Sequence, residues 1–319
     1  MPDYPGYLNA YKNGKLKKIA DALYLSLSSC QICPRRCRVN RLDSKVGFCK
    51  TAALPKIFSF MPHHGEEPPI SGAGGSGTIF FSHCNMGCVY CQNYEFSQLG
   101  KGRDYAFEEL AGVMLKLQSQ GCHNINLVTP THVLPQILKS LELAILGGLK
   151  IPLVYNTSGY ELSGVIKSLA GIVDIYLADS RYGDSLVAKK LSQADDYVKY
   201  NQGALKEMHR QVGVAEFNNQ GLIKKGLIIR HLVLPNHSSQ TAKIMKFIAG
   251  KLSKDTYISL MSQYLPYYLA CGYPKINRRL KKEEYQEAKE ILERCHLLNG
   301  WIQESFGEER FAGVNIKPR

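Results

Sequence analysis

The stretch GTIFFSHCNMGCVYCQN, residues 77–93, decides how this chain is read. It begins as an apolar strand, Thr78–Ser82, and runs directly into Cys84, Cys88 and Cys91, spaced C-x3-C-x2-C. Thiolates are soft ligands that suit iron–sulfur clusters or zinc. Three thiolates on a cubane of four irons leave one iron without a protein ligand. A chelating amino acid, with its amine and carboxylate, is well suited to that position. Three buried free thiols or a zinc knuckle are the competing readings, but three cysteines this close rarely arise as core packing.

Downstream the pattern is regular. Five further strands are predicted at Ile125–Val128, Leu153–Tyr155, Val173–Ala178, Leu227–Leu234 and Tyr257–Met261. Amphipathic helices fall between them: Leu110, Val113, Met114 and Leu117 sit at i, i+3, i+4, i+7. Others are expected at 133–146, 161–170, 201–212, 239–251 and 282–295. Alternating βα units imply an α/β fold with a parallel sheet. Six units predict a partial (β/α)6 TIM-type barrel rather than a closed one of eight strands. In such barrels the site lies at the C-terminal ends of the strands.

Upstream, residues 1–29 are polar and then helical in pattern, and residues 30–76 are rich in Cys, Pro, Gly and Arg. The expected organisation is therefore an N-terminal helical segment (1–29), a small Cys-rich metal-binding extension of loops and short strands (30–76), and a barrel with a C-terminal helical part (77–319). Gly72–Gly77 matches the G-x-G-x-x-G spacing, but it precedes a strand instead of following one, so a dinucleotide site is rejected.

The 319 residues are 45% hydrophobic and 21% charged, which excludes collagen-like, low-complexity and largely disordered chains. No stretch reaches the ~18 apolar residues of a membrane span, and the N-terminus has no apolar signal core. A cytoplasmic protein without a membrane partner is expected. The net charge of +13 is spread over the chain and favours a solvated basic surface, leaving a nucleic-acid partner open. Ten cysteines in a chain of this kind point to metal instead of disulfides.

C-x3-C-x-aromatic-C after the first strand of a βα barrel resembles the radical S-adenosylmethionine (SAM) superfamily. The likeness extends to proteins described as pyruvate formate-lyase activating enzyme-like. It is carried in order by CQICPRRCRVNR, GEEPPISG, GSGTIFFSHCNMGCVYCQN, VTPTH, VYNTSGYE, VDIYLADSRY, KEMHRQVG, IIRHLVLPN, ISLMSQYLP and INRRLKKEEYQEA, over about residues 30–290. The resemblance implies a [4Fe-4S] cluster on Cys84, Cys88 and Cys91, with SAM chelating the open iron. It implies reductive cleavage of SAM to a 5′-deoxyadenosyl radical that abstracts hydrogen, fed by an external donor of flavodoxin or ferredoxin type. For activating enzymes the substrate is a glycine of a partner glycyl radical enzyme. A radical SAM enzyme acting on a small molecule, a peptide or RNA is one alternative; a non-catalytic iron–sulfur carrier or a zinc-stabilised binding protein is another.

By the same resemblance Tyr90 lies against the SAM adenine. VTPTH stands where many members have Gly-Gly-Glu, so Thr129 and Thr131 are candidates to receive the SAM amino group, their individual roles open. Asn156 and Ser158, after the third barrel strand, are candidates for the ribose or amino acid part, with a turn as the rival reading. Asp179 and Arg181 stand where relatives have Asp-x-Lys, the cation being close to the SAM carboxylate; a guanidinium can hold a carboxylate with two parallel bonds. Strand alternation points Arg230 and Leu232 to one face and His231 to the other. Arg230 is expected to point into the barrel and His231 to be structural. His132, Gln263 and Tyr264 have equally good packing readings.

Cys30, Cys33, Cys37 and Cys49 form C-x2-C-x3-C-x11-C. Four thiolates can saturate zinc or ligate a second iron–sulfur cluster, and the spacing does not choose between them. The isolated Cys122, Cys271 and Cys295 are read as core packing.

Overall fold

The computed structural model describes residues 4–302. Among these residues ten strands form in chain order: β1 Lys56–His63, β2 Ser76–Phe81, β3 Arg103–Asp104, β4 Ile125–Val128, β5 Leu153–Thr157, β6 Ile175–Asp179, β7 Glu216–Phe217, β8 Ile223–Leu232, β9 Tyr257–Met261 and β10 Gly300–Ile302. The sheet order is β10-β9-β8-β6-β5-β4-β2-β1-β3, with β7 paired to β8. From β2 through β4, β5, β6, β8 and β9 to β10 every pairing is parallel. Strands β1 and β3 continue the sheet in antiparallel fashion. Among the described residues no ladder joins β10 to β3, so this is an open, partial TIM-type barrel.

The strands form where apolar runs can be covered on both faces, as parallel sheets require. Strands β2, β4, β5 and β6 are buried at every residue. Helix Phe107–Ser119 buries Leu110, Val113, Met114 and Leu117 against the sheet. Its first turn is fixed by Glu109, which accepts from the Ala106 amide at 2.8 Å. The remaining expected helices form at Leu134–Leu146, Ser163–Ser168, Tyr197–Val212, Thr241–Lys251 and Lys282–Arg294.

All six expected strands are present, with shifted ends. The structure adds a seventh parallel strand, β10, and places β1 of the Cys-rich segment inside the main sheet, so no structural break separates residues 30–76 from the barrel. The N-terminal segment forms two helices, Gly6–Lys12 and Lys15–Leu25. The glycine run 72–77 leads into β2 with no helix opening from it, as expected. The part of the 77–319 unit beyond residue 302 lies outside the described residues. Among the described residues no helix is long and apolar enough to cross a membrane.

Candidate functional site

The loop after β2 carries Cys84, Cys88 and Cys91, and its neighbours in space hold it at the mouth of the sheet. The Gly87 and Val89 amides donate to the Ser192 and Leu191 carbonyls, and the Leu269 amide donates to Val89 O. The Asn85 side chain donates to Tyr160 O at 2.8 Å. These are ends of segments far apart in sequence, so the loop is fixed only when the barrel is assembled.

Each sulfur has a partner. The Met86 amide donates to Cys84 Sγ at 3.3 Å. Ser192 Oγ, at the end of helix Ser185–Ser192, donates to Cys88 Sγ at 2.9 Å. Arg181 Nη1 lies 3.4 Å from Cys88 Sγ. Ser97 Oγ is 3.0 Å from Cys91 Sγ. Hydrogen bonds to sulfur are one of the levers that set the potential of an iron–sulfur cluster. Burial pushes the Cys84 thiol well up and Cys91 up to about 11, each helped by the neighbouring Cys88. Such thiols lose their protons to a bound metal rather than to water. Among the described residues no three His, Cys, Asp or Glu side chains converge on a single-ion position. Three soft thiolates within eight residues of one loop are a donor set that fits a cluster.

A cavity of about 390 Å³ opens beside this loop. Tyr90 and Cys91 face it from the loop, Asp179 and Arg181 from the end of β6, and Arg230 and Leu232 from β8. The expected alternation on β8 holds. His231, on the other face, is fully buried between Ser180 O at 2.7 Å and Thr241 Oγ1 at 3.0 Å.

Asp179 organises the charges. Arg181 donates to it through Nη2 at 2.6 Å and Nε at 3.0 Å, and Arg230 through Nε at 2.9 Å. Burial raises the Asp179 carboxyl, but the Arg230 and Arg181 guanidiniums outweigh burial and hold it below the ordinary range. Arg181 is thereby aimed at Cys88 and the cavity by its neighbour two residues earlier. Arg230 also pairs with Glu66 at 3.3 Å and donates to Asn156 Oδ1. Glu66 and Glu67 line the cavity, and burial raises both carboxyls against the opposing pull of Arg230.

These two acids were not singled out from the sequence. They precede β2, outside the βα repeat that located the other candidates, and the only signal was an acidic pair in the quoted GEEPPISG segment. Ser192 and Ser97 were also missed, since a single serine carries no motif.

The other candidates lie differently. Tyr90 lines the cavity with its hydroxyl 2.5 Å from that of Tyr182 and its ring edge-on to Tyr264. Gln263 lines the cavity, and Tyr264 packs behind Tyr90. Thr129, Thr131, Asn156 and Ser158 do not line it. Asn156 reaches the site through Arg230. The Thr131 hydroxyl donates instead to Glu161 at 2.6 Å, as does that of Thr157. Ser158 contributes its carbonyl to the Tyr197 hydroxyl at 2.9 Å. Thr129 has φ +59, a left-handed conformation that is strained for a β-branched residue. Such strain gathers at sites where the surrounding structure enforces it. Of the three isolated cysteines, Cys122 is buried in the core. Cys295 is half-buried against it. Cys271 is exposed, which corrects the packing expectation there: it falls in the short turn Ala270–Gly272, where only Ala270 is buried.

The family model described as the radical SAM superfamily matches residues 78–193, the segment that holds all three cysteines, Asp179 and Arg181. The uncharacterized protein MJ0674 of Methanocaldococcus jannaschii is 34% identical over 282 residues, covering 84% of this chain and 75% of that protein. Residues 78–193 of this chain are a radical SAM superfamily domain. Radical SAM proteins are enzymes that use a [4Fe-4S] cluster, SAM and an external electron donor, so the carrier and zinc-binding alternatives fall away for this centre. A crystal structure of HydG, a maturase of the [FeFe]-hydrogenase, matches with TM-score 0.43 and 12% identity over 67% of this chain; the match spans 47% of the HydG chain, about half its length.

Proposed function

We propose that this radical SAM enzyme is an activating enzyme, abstracting hydrogen from a glycine of a partner protein. When bound, the [4Fe-4S] cluster and SAM supply an electron and a 5′-deoxyadenosyl radical. The residues of the chain do the rest. Cys84, Cys88 and Cys91 hold the cluster. Arg181, oriented by Asp179, offers its guanidinium to the SAM carboxylate beside Cys88. Tyr90 offers a ring face to the adenine. Arg230, fixed by Asp179 and Glu66, lines the cavity beside Arg181.

The observation that carries the choice of substrate is the ordered set of segments quoted above, which resembles the activating enzyme-like proteins over about residues 30–290. A flavodoxin or ferredoxin fits the role of reductant.

The test is to mix anaerobically reconstituted, reduced enzyme and SAM with candidate glycyl radical enzymes. The expected result is a glycyl-radical doublet in electron paramagnetic resonance spectra. Stoichiometric 5′-deoxyadenosine without a protein radical in any candidate would favour a small-molecule, peptide or RNA substrate.

A further inference from the structure

Four cysteines outside the matched family segment, Cys30, Cys33, Cys37 and Cys49, line one small cavity together with Arg41 and His132. The loop folds tightly to bring them there. The Cys30 amide donates to Val39 O, and the Arg38 amide returns to Cys30 O. Gly47 is a close approach: a Cβ on it would lie 2.7 Å from Cys37 Sγ.

Two neighbours give this cavity a meaning that spacing alone did not. Arg41 is 1% exposed. Its Nε and Nη2 donate to Ala52 O, and its Nη1 faces Cys30 Sγ at 3.7 Å. Among the described residues no carboxylate pairs with it. A buried guanidinium without a counter-charge is costly, and neutral thiols do not supply one. Thiolates around a metal do.

His132 is fully buried. Its Nε2 lies 2.8 Å from Ser82 O, which can only accept, so Nε2 carries the proton. Nδ1 then holds a bare lone pair, and it has no hydrogen-bond partner. A histidine that anchors one nitrogen on a backbone carbonyl and leaves the other bare has the usual arrangement of a metal-binding imidazole.

We propose that His132 Nδ1 and three of the thiolates of Cys30, Cys33, Cys37 and Cys49 hold a second metal centre of net negative charge, a zinc ion or an iron–sulfur cluster, with Arg41 as its counter-cation. The centre braces the catalytic loop by two routes. Ser82, which receives His132, lies two residues before Cys84. Arg35, packed over the Phe48 ring at 3.6 Å, donates to Asn85 O at 3.0 Å.

The test uses the full chain with C84A, C88A and C91A together, purified without oxygen, so that only the second centre can bind metal. Zinc, iron and sulfide are measured per chain. The expected result is either about one zinc or iron with matching sulfide. Adding C30A and C33A abolishes it. A folded triple variant without stoichiometric metal, or one whose metal survives C30A and C33A, overturns the proposal. His132 is tested by H132Q, whose amide nitrogen can still donate to Ser82 O. For iron–sulfur the readout is the resonance spectrum of the reduced centre. For zinc it is the ligand-field spectrum after cobalt substitution. A shifted spectrum with unchanged circular dichroism is expected, and an unshifted one removes His132 from the centre.

Discussion

At the scale of single residues, Asp179 and Glu161 have opposite electrostatics within one barrel mouth. Asp179 is held ionised by two guanidiniums, and Glu161 is surrounded by hydroxyls of Thr131, Thr157 and Tyr155. Burial lifts Glu161 to about 7, and those hydroxyls offset it only in part. A carboxyl whose pKa rises on folding stabilises the fold fully below its unfolded value of about 4.3, and that contribution is lost as pH rises through about 7. Between these limits the wild type should lose about 3 kcal/mol relative to E161Q, measured by denaturant unfolding of both proteins across that range. A difference that does not change with pH would contradict this.

Arg181 makes a second prediction. R181K keeps the charge but loses the paired bonds to Asp179 and the reach to Cys88 Sγ. SAM cleavage should fall about tenfold, or about 1.4 kcal/mol in the barrier, with the cluster retained. The cation at 181 was legible from sequence because it follows a strand. Its tie to Cys88 was not, because the two are 93 positions apart and only the assembled barrel joins them.

At the scale of elements, the turns after the strands decide where the chemistry sits. Gly159, in the turn after β5, has φ +74. A Cβ there would lie 2.3 Å from Asp179 O and 2.2 Å from the Asn201 amide nitrogen. G159A should therefore cost about 1–3 kcal/mol of stability. It should also lower SAM cleavage by moving the strand end that bears Asp179. Thermal melts and the cleavage assay check the two halves. Strand positions were legible because β2, β4, β5 and β6 each contain a short apolar run and are buried at every residue. Strand β10 was not: it has three residues, begins with glycine and repeats no pattern. Strand β1 was hidden by the polar and proline residues of its half-covered face.

At the scale of the whole molecule, the cysteines divide by place in the fold. Three lie at the mouth of the barrel, four in a module packed onto the same loop, and three elsewhere, one of them exposed. The first group was legible because spacing and strand context agree. The second was legible as a candidate ligand set, but its neighbours Arg41 and His132 were not, since one lies in a basic run and the other after β4. The central claim is that the cluster on Cys84, Cys88 and Cys91 cleaves SAM in the cavity that Asp179, Arg181 and Arg230 line. The most direct measurement is 5′-deoxyadenosine released by the anaerobically reconstituted, dithionite-reduced enzyme, beside the variant with those three cysteines replaced by alanine. Product from the wild type and none from the variant is the predicted result. No product from a fully loaded wild type, or equal product from both, would contradict it.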